Sequence, residues 1–132
     1  MGFSLPAAIG AKLLNPDKKV LAVCGDGGFM MNVHELETAR RLGLNLVVVI
    51  FKDGGYNLIK WKSINKFGSS FGVDFTNPDF VKLTESFGAE GMAVQSADAI
   101  ENVLNWAFSR KGPVIIDVPI DYSANNSLSN YL

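Results

Sequence analysis

A chain of 132 residues is one domain of ordinary size, long enough for a single contiguous core. Hydrophobic residues make up 48% and charged residues 19%, and the formal charge of -1 leaves no basic footprint for nucleic acid or an acidic membrane surface. No apolar run approaches the ~18 residues that span a bilayer. The opening "MGFSLPAAIGAKLLNPDKK" lacks the basic start and purely apolar block of a signal peptide. A lone cysteine, Cys24, cannot close an internal disulfide, so the expectation is a cytoplasmic protein.

In chain order, "SLPAAIGAKLL" reads as a helix with Ser4 as its cap and Pro6 in its first turn, ended by Asn15-Pro16-Asp17. "KVLAVCG" is a short continuous apolar run, the pattern of a strand covered on both faces. Asn32-Val33-His34-Glu35 has the form of a capping box that opens a helix through Arg41, with Gly43 at its stop. "LNLVVVIFK" is a second buried strand, and strand, helix and strand together make a βαβ unit. Residues 54–77 are polar and glycine-punctuated, with one or two helical turns expected over 56–62 and loop elsewhere. Asn77-Pro78-Asp79 opens another helix with Phe80, Leu83 and Phe87 on one face. "GMAVQ" is a weak strand, and Ser96 caps an amphipathic helix carrying Ile100, Val103, Leu104, Ala107 and Phe108 at three-four spacing. "GPVIIDVPID" is a strong strand, and "YSANNSLSNYL" a polar tail.

Strands alternating with helices imply an α/β fold, a three-layer parallel sheet with helices on both faces. The chain shows no repeat and no linker, so residues 1–132 read as a single domain. It opens at Met1-Gly2 inside the lead-in to a helix, and the expectation is an N-terminally truncated fragment of a larger enzyme.

Both strands of the βαβ unit run into an aspartate beside paired glycines: Gly25-Asp26-Gly27-Gly28 and Asp53-Gly54-Gly55. Ligands of parallel sheets gather at the carboxyl ends of strands, and neighbouring strands lie roughly 4.8 Å apart. Two carboxylates that close repel unless a hard cation such as Mg²⁺ takes their oxygens and keeps positions open for phosphate. Gly25, Gly27 and Gly28 can adopt angles closed to other residues and admit phosphate to the main chain. Their amides, ahead of a helix opening near Asn32, favour anionic oxygens. Asp-Gly after a strand is by itself usually a turn; two such stops at βαβ spacing favour a metal-diphosphate site. Neither a P-loop nor a G-x-G-x-x-G fingerprint is present.

At these residues the chain resembles the C-terminal cofactor domain of thiamine diphosphate-dependent enzymes, in which Gly-Asp-Gly is followed by an asparagine or aspartate 27 positions after the acid, as Asp53 follows Asp26. The likeness is closest to acetolactate (acetohydroxyacid) synthase catalytic subunits and takes in "MGFSLPAAIGAKLLNPDKKV", "GDGGFMMNVHELETARRL", "NPDFVKLTESFGAEG" and "GPVIIDVPIDYSANNSL". It implies that Asp26, the Asp53 side chain and the Gly55 carbonyl bind Mg²⁺. Gly25, Gly27, Gly28 and the Tyr56 amide would surround the diphosphate, and Met1 would match the apolar prop beneath the pyrimidine ring. Aspartate rather than asparagine at 53, in "DGGY", and the ending "VPIDYSANN" are similar to catabolic acetolactate synthases.

The implied reaction decarboxylates pyruvate on thiamine diphosphate and joins the product to a second 2-keto acid, giving 2-acetolactate. In the family the glutamate that activates the cofactor lies in an N-terminal pyrimidine-binding domain of a partner subunit, in a homodimer or homotetramer. No catalytic residue is therefore expected in this chain, and Glu35, Glu37, Glu85, Glu90 and Glu101 read as surface residues. FAD in the parent enzyme is not legible here. Biosynthetic relatives carry tryptophan at the position of Lys62, whereas here Trp61 comes one residue early. That departure leaves the acceptor open between branched-chain amino acid and acetoin metabolism, with Leu58, Ile59 and Lys62 as substrate-side candidates. His34 is read as structural or solvent-facing, and Cys24 as a packing residue. Two rival readings stand beside this one: another thiamine diphosphate-dependent decarboxylase, carboligase or oxidase, and a non-catalytic module.

Overall fold

The computed structural model describes residues 1–122, so the tail reading lies, from residue 123 onward, outside the described residues. Its elements follow the order α1 (Ser4–Leu14), β1 (Leu21–Gly25), α2 (Asp26–Met30), α3 (Glu35–Arg41), β2 (Val47–Lys52), α4 (Asn57–Phe67), α5 (Phe80–Ser86), β3 (Glu90–Ala93), α6 (Ile100–Phe108) and β4 (Val114–Pro119). The four strands form one parallel sheet in the order β1-β2-β4-β3.

Strand residues alternate between the two faces of a pleated sheet, and here both faces are apolar. Val48, Ile50 and Ile115 point into one core with Leu5, Leu36, Phe29 and Phe80. Val47, Val49, Val114 and Ile116 point into a second core with Val103 and Ala107 of α6. Three layers result, as the β-branched runs implied, but β1, expected to be covered on both faces, is an edge strand that leaves Leu21 and Val23 exposed on one face. The chief tie of α5 to its layer is Phe80, fully buried and edge-to-face on Phe29 at 5.7 Å. Gly91 of β3 admits that helix closely: a Cβ there would lie 3.1 Å from Val81 Cα. Among the described residues no helix is long and apolar enough to cross a membrane.

Several local expectations differ from what the fold does. Ser4 is the first residue of α1 rather than its cap, and its hydroxyl donates to the Val23 carbonyl at 3.2 Å. The capping box does not form: His34 precedes α3 in helical conformation, and the Asn32 amide instead donates to the Gly2 carbonyl. Ser96 makes no side-chain cap and is followed by a 3₁₀ turn before α6. Asp79 does cap α5, its carboxylate accepting from the Lys82 N–H at 3.1 Å. The largest difference is α4, three turns of helix where one or two were expected, closed by Gly68 in the left-handed region at φ 73°. None of its residues is buried. A helix that buries no face leaves no apolar period in the sequence to read.

Phe80→Ala should cost about 3–5 kcal/mol, a large share of the roughly 5–15 kcal/mol that stabilises a domain. Urea unfolding followed by far-UV circular dichroism measures it, and a loss below about 1 kcal/mol would contradict the packing described.

Candidate metal-diphosphate site at the ends of β1 and β2

The register Gly25↔Phe51 brings β1 and β2 to their carboxyl ends side by side. The turn after each strand then carries an aspartate to the rim of one cleft of about 860 Å³. Asp26, Gly27, Gly28, Asp53, Gly55 and Tyr56 all line it, as do Gly25, Met1, Leu58 and Ile59. Lys62 is exposed and outside the lining, so of the three substrate-side candidates the structure brings together only Leu58 and Ile59. His34 is exposed and, like all five glutamates singled out above, lies away from the cleft.

Asp26 is only 2% exposed, and its carboxylate is held from three parts of the chain. Oδ1 accepts the N–H of Gly27 at 2.7 Å. Oδ2 accepts the N–H groups of Asp53 at 3.1 Å and Gly54 at 2.8 Å, and the Asn77 side-chain amide at 2.6 Å. Hydrogen bonds to a charged group contribute about 1.5–3 kcal/mol each, which is how a carboxylate tolerates burial. The first acid therefore shapes the loop that presents the second. Among the described residues Asp53 keeps its own carboxylate nearly uncommitted, with only a 3.4 Å approach from the Gly55 N–H, at the hydrogen-bond limit.

Asn77 was legible in the sequence only as the opening of a helix. Its role at the site comes from a contact across 51 residues, for which no local signal exists. The amide can face only one way, because a carbonyl turned to Asp26 would be repelled. That orientation leaves Asn77 Oδ1 buried without a partner among the described residues, at a cost of about 1–3 kcal/mol.

The glycines divide into different physical roles, correcting the single role expected of them. Gly25, Gly27 and Gly28 have no positive φ; Gly25 is extended, and the other two lie inside α2, a short helix ahead of α3 that local pattern did not announce. Gly27 is small because rings cover it: an added Cβ would lie 2.6 Å from Tyr56 Cε1 and 3.0 Å from Phe75 Cζ. Gly25 and Gly28 have no such neighbour within 3.4 Å and leave bare main chain at the cleft. Of the second pair, Gly54 alone takes a left-handed conformation, at φ 74°.

A short antiparallel bridge pairs Gly55 with Asp74. Tyr56 N–H donates to the Val73 carbonyl at 2.8 Å, and Phe75 N–H to the Gly54 carbonyl at 3.1 Å. The Tyr56 amide assigned by resemblance to the diphosphate is thus committed to the fold. In this ladder the N–H and C=O of Gly55 point away from the paired segment, leaving the Gly55 carbonyl unclaimed by it.

The donor set fits Mg²⁺ in chemistry: two carboxylates and a backbone carbonyl supply hard oxygen ligands and leave positions for others. The cleft also fits a diphosphate only in company. Among its described lining residues no lysine, arginine or histidine side chain appears, so a bare polyanion would meet the carboxylates of three aspartates, Asp26, Asp53 and Asp121. Bare main chain at Gly25 and Gly28 gives the anion a surface to approach.

Burial, with the Asp26 charge as the smaller cause, pushes the Cys24 thiol up to about 11. Alkylation by iodoacetamide at pH 8 should therefore run about two orders of magnitude slower than for a free cysteine. It should accelerate about tenfold per pH unit until the pH nears 11; a plateau near pH 9 would contradict this. Gly27→Ala should lower stability by about 1–3 kcal/mol by forcing Tyr56 aside, while Gly25→Ala leaves the thermal midpoint within about 2 °C. Equal midpoints for the two variants would refute the distinction.

A family model described as thiamine pyrophosphate enzyme, C-terminal TPP binding domain, matches residues 1–118. The acetolactate synthase of Bacillus subtilis (strain 168) is 45% identical over 130 residues, covering 98% of this chain and 23% of that protein. The catabolic acetolactate synthase of Raoultella terrigena is 45% identical over 132 residues, covering 100% of this chain and 24% of its own length. The chain therefore spans about a quarter of the length of these curated relatives. Among solved structures, the thiamine diphosphate-dependent 4-hydroxybenzoylformate decarboxylase of Rhodococcus jostii RHA1 superposes with a TM-score of 0.85 at 32% identity, over 92% of this chain and 23% of that one. With the fold, the family match and these relatives in agreement, the chain belongs to the family of C-terminal thiamine diphosphate-binding domains of thiamine diphosphate-dependent enzymes.

Proposed function

We propose that this domain holds Mg-thiamine diphosphate for an acetolactate synthase-type transferase, which decarboxylates pyruvate and joins the product to a second 2-keto acid. The observation that carries the reading is the pair of acids at adjacent strand ends, with the amides of Asp53 and Gly54 bonded to Asp26. Asp26, Asp53 and the Gly55 carbonyl would hold the metal, whose charge offsets that of the two carboxylates and lets a diphosphate approach them. Gly25 and Gly28 offer the main-chain surface against which phosphate rests. Met1, Leu58 and Ile59 give the same cleft an apolar wall, suited to the uncharged part of a cofactor and to excluding water from a reacting keto acid. When bound, thiamine diphosphate supplies a nucleophilic carbon and an electron sink for loss of CO₂. The chain's own part is binding, orientation and charge neutralisation.

Two relatives at 45% identity carry the name acetolactate synthase, which favours pyruvate over other keto acids. The decarboxylase named among solved structures keeps open a second reading, in which the same domain serves a 2-keto acid decarboxylase, carboligase or oxidase. In either reading the domain works within a longer polypeptide, in the cytoplasm, against a pyrimidine-binding domain of a partner subunit in a homodimer or homotetramer. The acceptor and any FAD belong to that assembly. No glutamate side chain lines the described cleft, which supports an activating acid supplied from elsewhere.

Isothermal titration of the chain with thiamine diphosphate and Mg²⁺ tests the site. Asp53→Ala should abolish measurable binding while leaving the fold intact. Asp26→Asn should weaken it at least about tenfold, the scale on which changes around a metal act, with some loss of stability because Asp26 also holds the second loop. Unchanged binding in both variants would overturn the assignment. The chain alone should release no acetolactate from pyruvate, and turnover by it would refute the need for a partner domain. In the longer polypeptide, an aldehyde in place of acetolactate would favour the second reading.

A further inference from the structure

We infer that Asn77 is a positioning residue of the metal site: its amide locks one oxygen of Asp26 and leaves the other as the oxygen that takes the cation. This rests on the metal-diphosphate reading above and adds to it a residue from a separate part of the chain. A carboxylate oxygen offers about two lone-pair positions. Oδ2 of Asp26 already receives three donors, from Asp53, Gly54 and Asn77. Oδ1 receives one, from the adjacent Gly27 N–H, and so keeps capacity for a further partner.

Of these four donors three are main-chain N–H groups placed by the strand ends, and Asn77 supplies the side-chain one. It makes the shortest of the four bonds, 2.6 Å, and comes from the segment that leads into α5. The Asn77 carbonyl oxygen, meanwhile, stays buried and unpartnered among the described residues. A packing role would be served better by an apolar side chain of the same shape, which carries no such penalty. The fold accepts an orphan acceptor in exchange for a donor aimed at Asp26. Groups that orient a metal's ligands through hydrogen bonds typically change metal affinity by about 10- to 100-fold when removed.

The test is direct titration of the full chain with Mn²⁺ in the presence of thiamine diphosphate, followed by electron paramagnetic resonance of the free ion. Two variants are compared with the parent chain: Asn77→Ala, which leaves room for a replacing water, and Asn77→Leu, which fills the space without a donor. Both should bind Mn²⁺ about 10- to 100-fold more weakly, Leu the worse of the two. The metal-free thermal midpoint of Asn77→Leu should stay close to that of the parent, because removal of the orphan oxygen offsets the lost bond to Asp26; it also certifies that this variant folds. Parent-like affinity in Asn77→Leu would mean that Asn77 only packs, and would overturn the inference. Tighter binding in either variant would mean that the amide competes with the cation for Oδ2, and would overturn it too. Those outcomes leave the metal site itself standing, whereas absence of Mn²⁺ binding by the parent chain removes the site and this inference together.

Discussion

One buried carboxylate ties three stretches of chain together. Asp26 ends the path of β1, takes the backbone amides that follow β2, and holds the Asn77 side chain before α5. Everything proposed for the cleft depends on that convergence. A charge sealed in this way is tolerated only because donors surround it, and those donors are placed by the strand register Gly25↔Phe51. The sheet does not merely carry the site; its hydrogen-bond ladder decides where the second acid can stand.

Beneath the rim lies a second buried acid, held by one cation instead of a ring of donors, its Oδ1 without a partner among the described residues. Asp117 of β4 is 4% exposed and pairs with Lys52, the residue just before Asp53. Its side chain lies on the same sheet face as Ile50 and Ile115, so a charge sits at the carboxyl end of an otherwise apolar layer. Paired, it anchors the last residue of β2. The loop from Asp53 to Tyr56 is thereby held from three directions: by Asp26, by the Lys52–Asp117 pair, and by the bridge to residues 73–75. A metal site gains from such rigidity because ligands already in place lose little entropy on binding.

The surface around the cleft tells a different story. Leu58 and Ile59 on α4 are more than half exposed, and Phe3 beside α1 more so. None of α4 is buried in the domain. Contiguous apolar exposure at the mouth of a site is costly in water and suits a surface that works against another protein body. It accords with a domain that spans about a quarter of its curated relatives.

Periodicity and composition alone were enough to establish the three layers, the buried strands β2 and β4 and two acid-glycine stops one βαβ unit apart, though not that β1 lies at the sheet edge with one face open. Each of these is a repeated, local consequence of which face is buried, and burial leaves its mark residue by residue. The three-turn length of α4 left no such mark, since that helix buries nothing. Nor could local pattern separate Gly27, kept small by two aromatic rings, from Gly25 and Gly28, bare toward the cleft. The commitment of the Tyr56 amide to Val73, and the reach of Asn77 to Asp26, were likewise decided only when distant segments packed together. A single partner chosen across 51 residues has no period and no neighbour to announce it; only the folded chain brings the two groups within bonding distance.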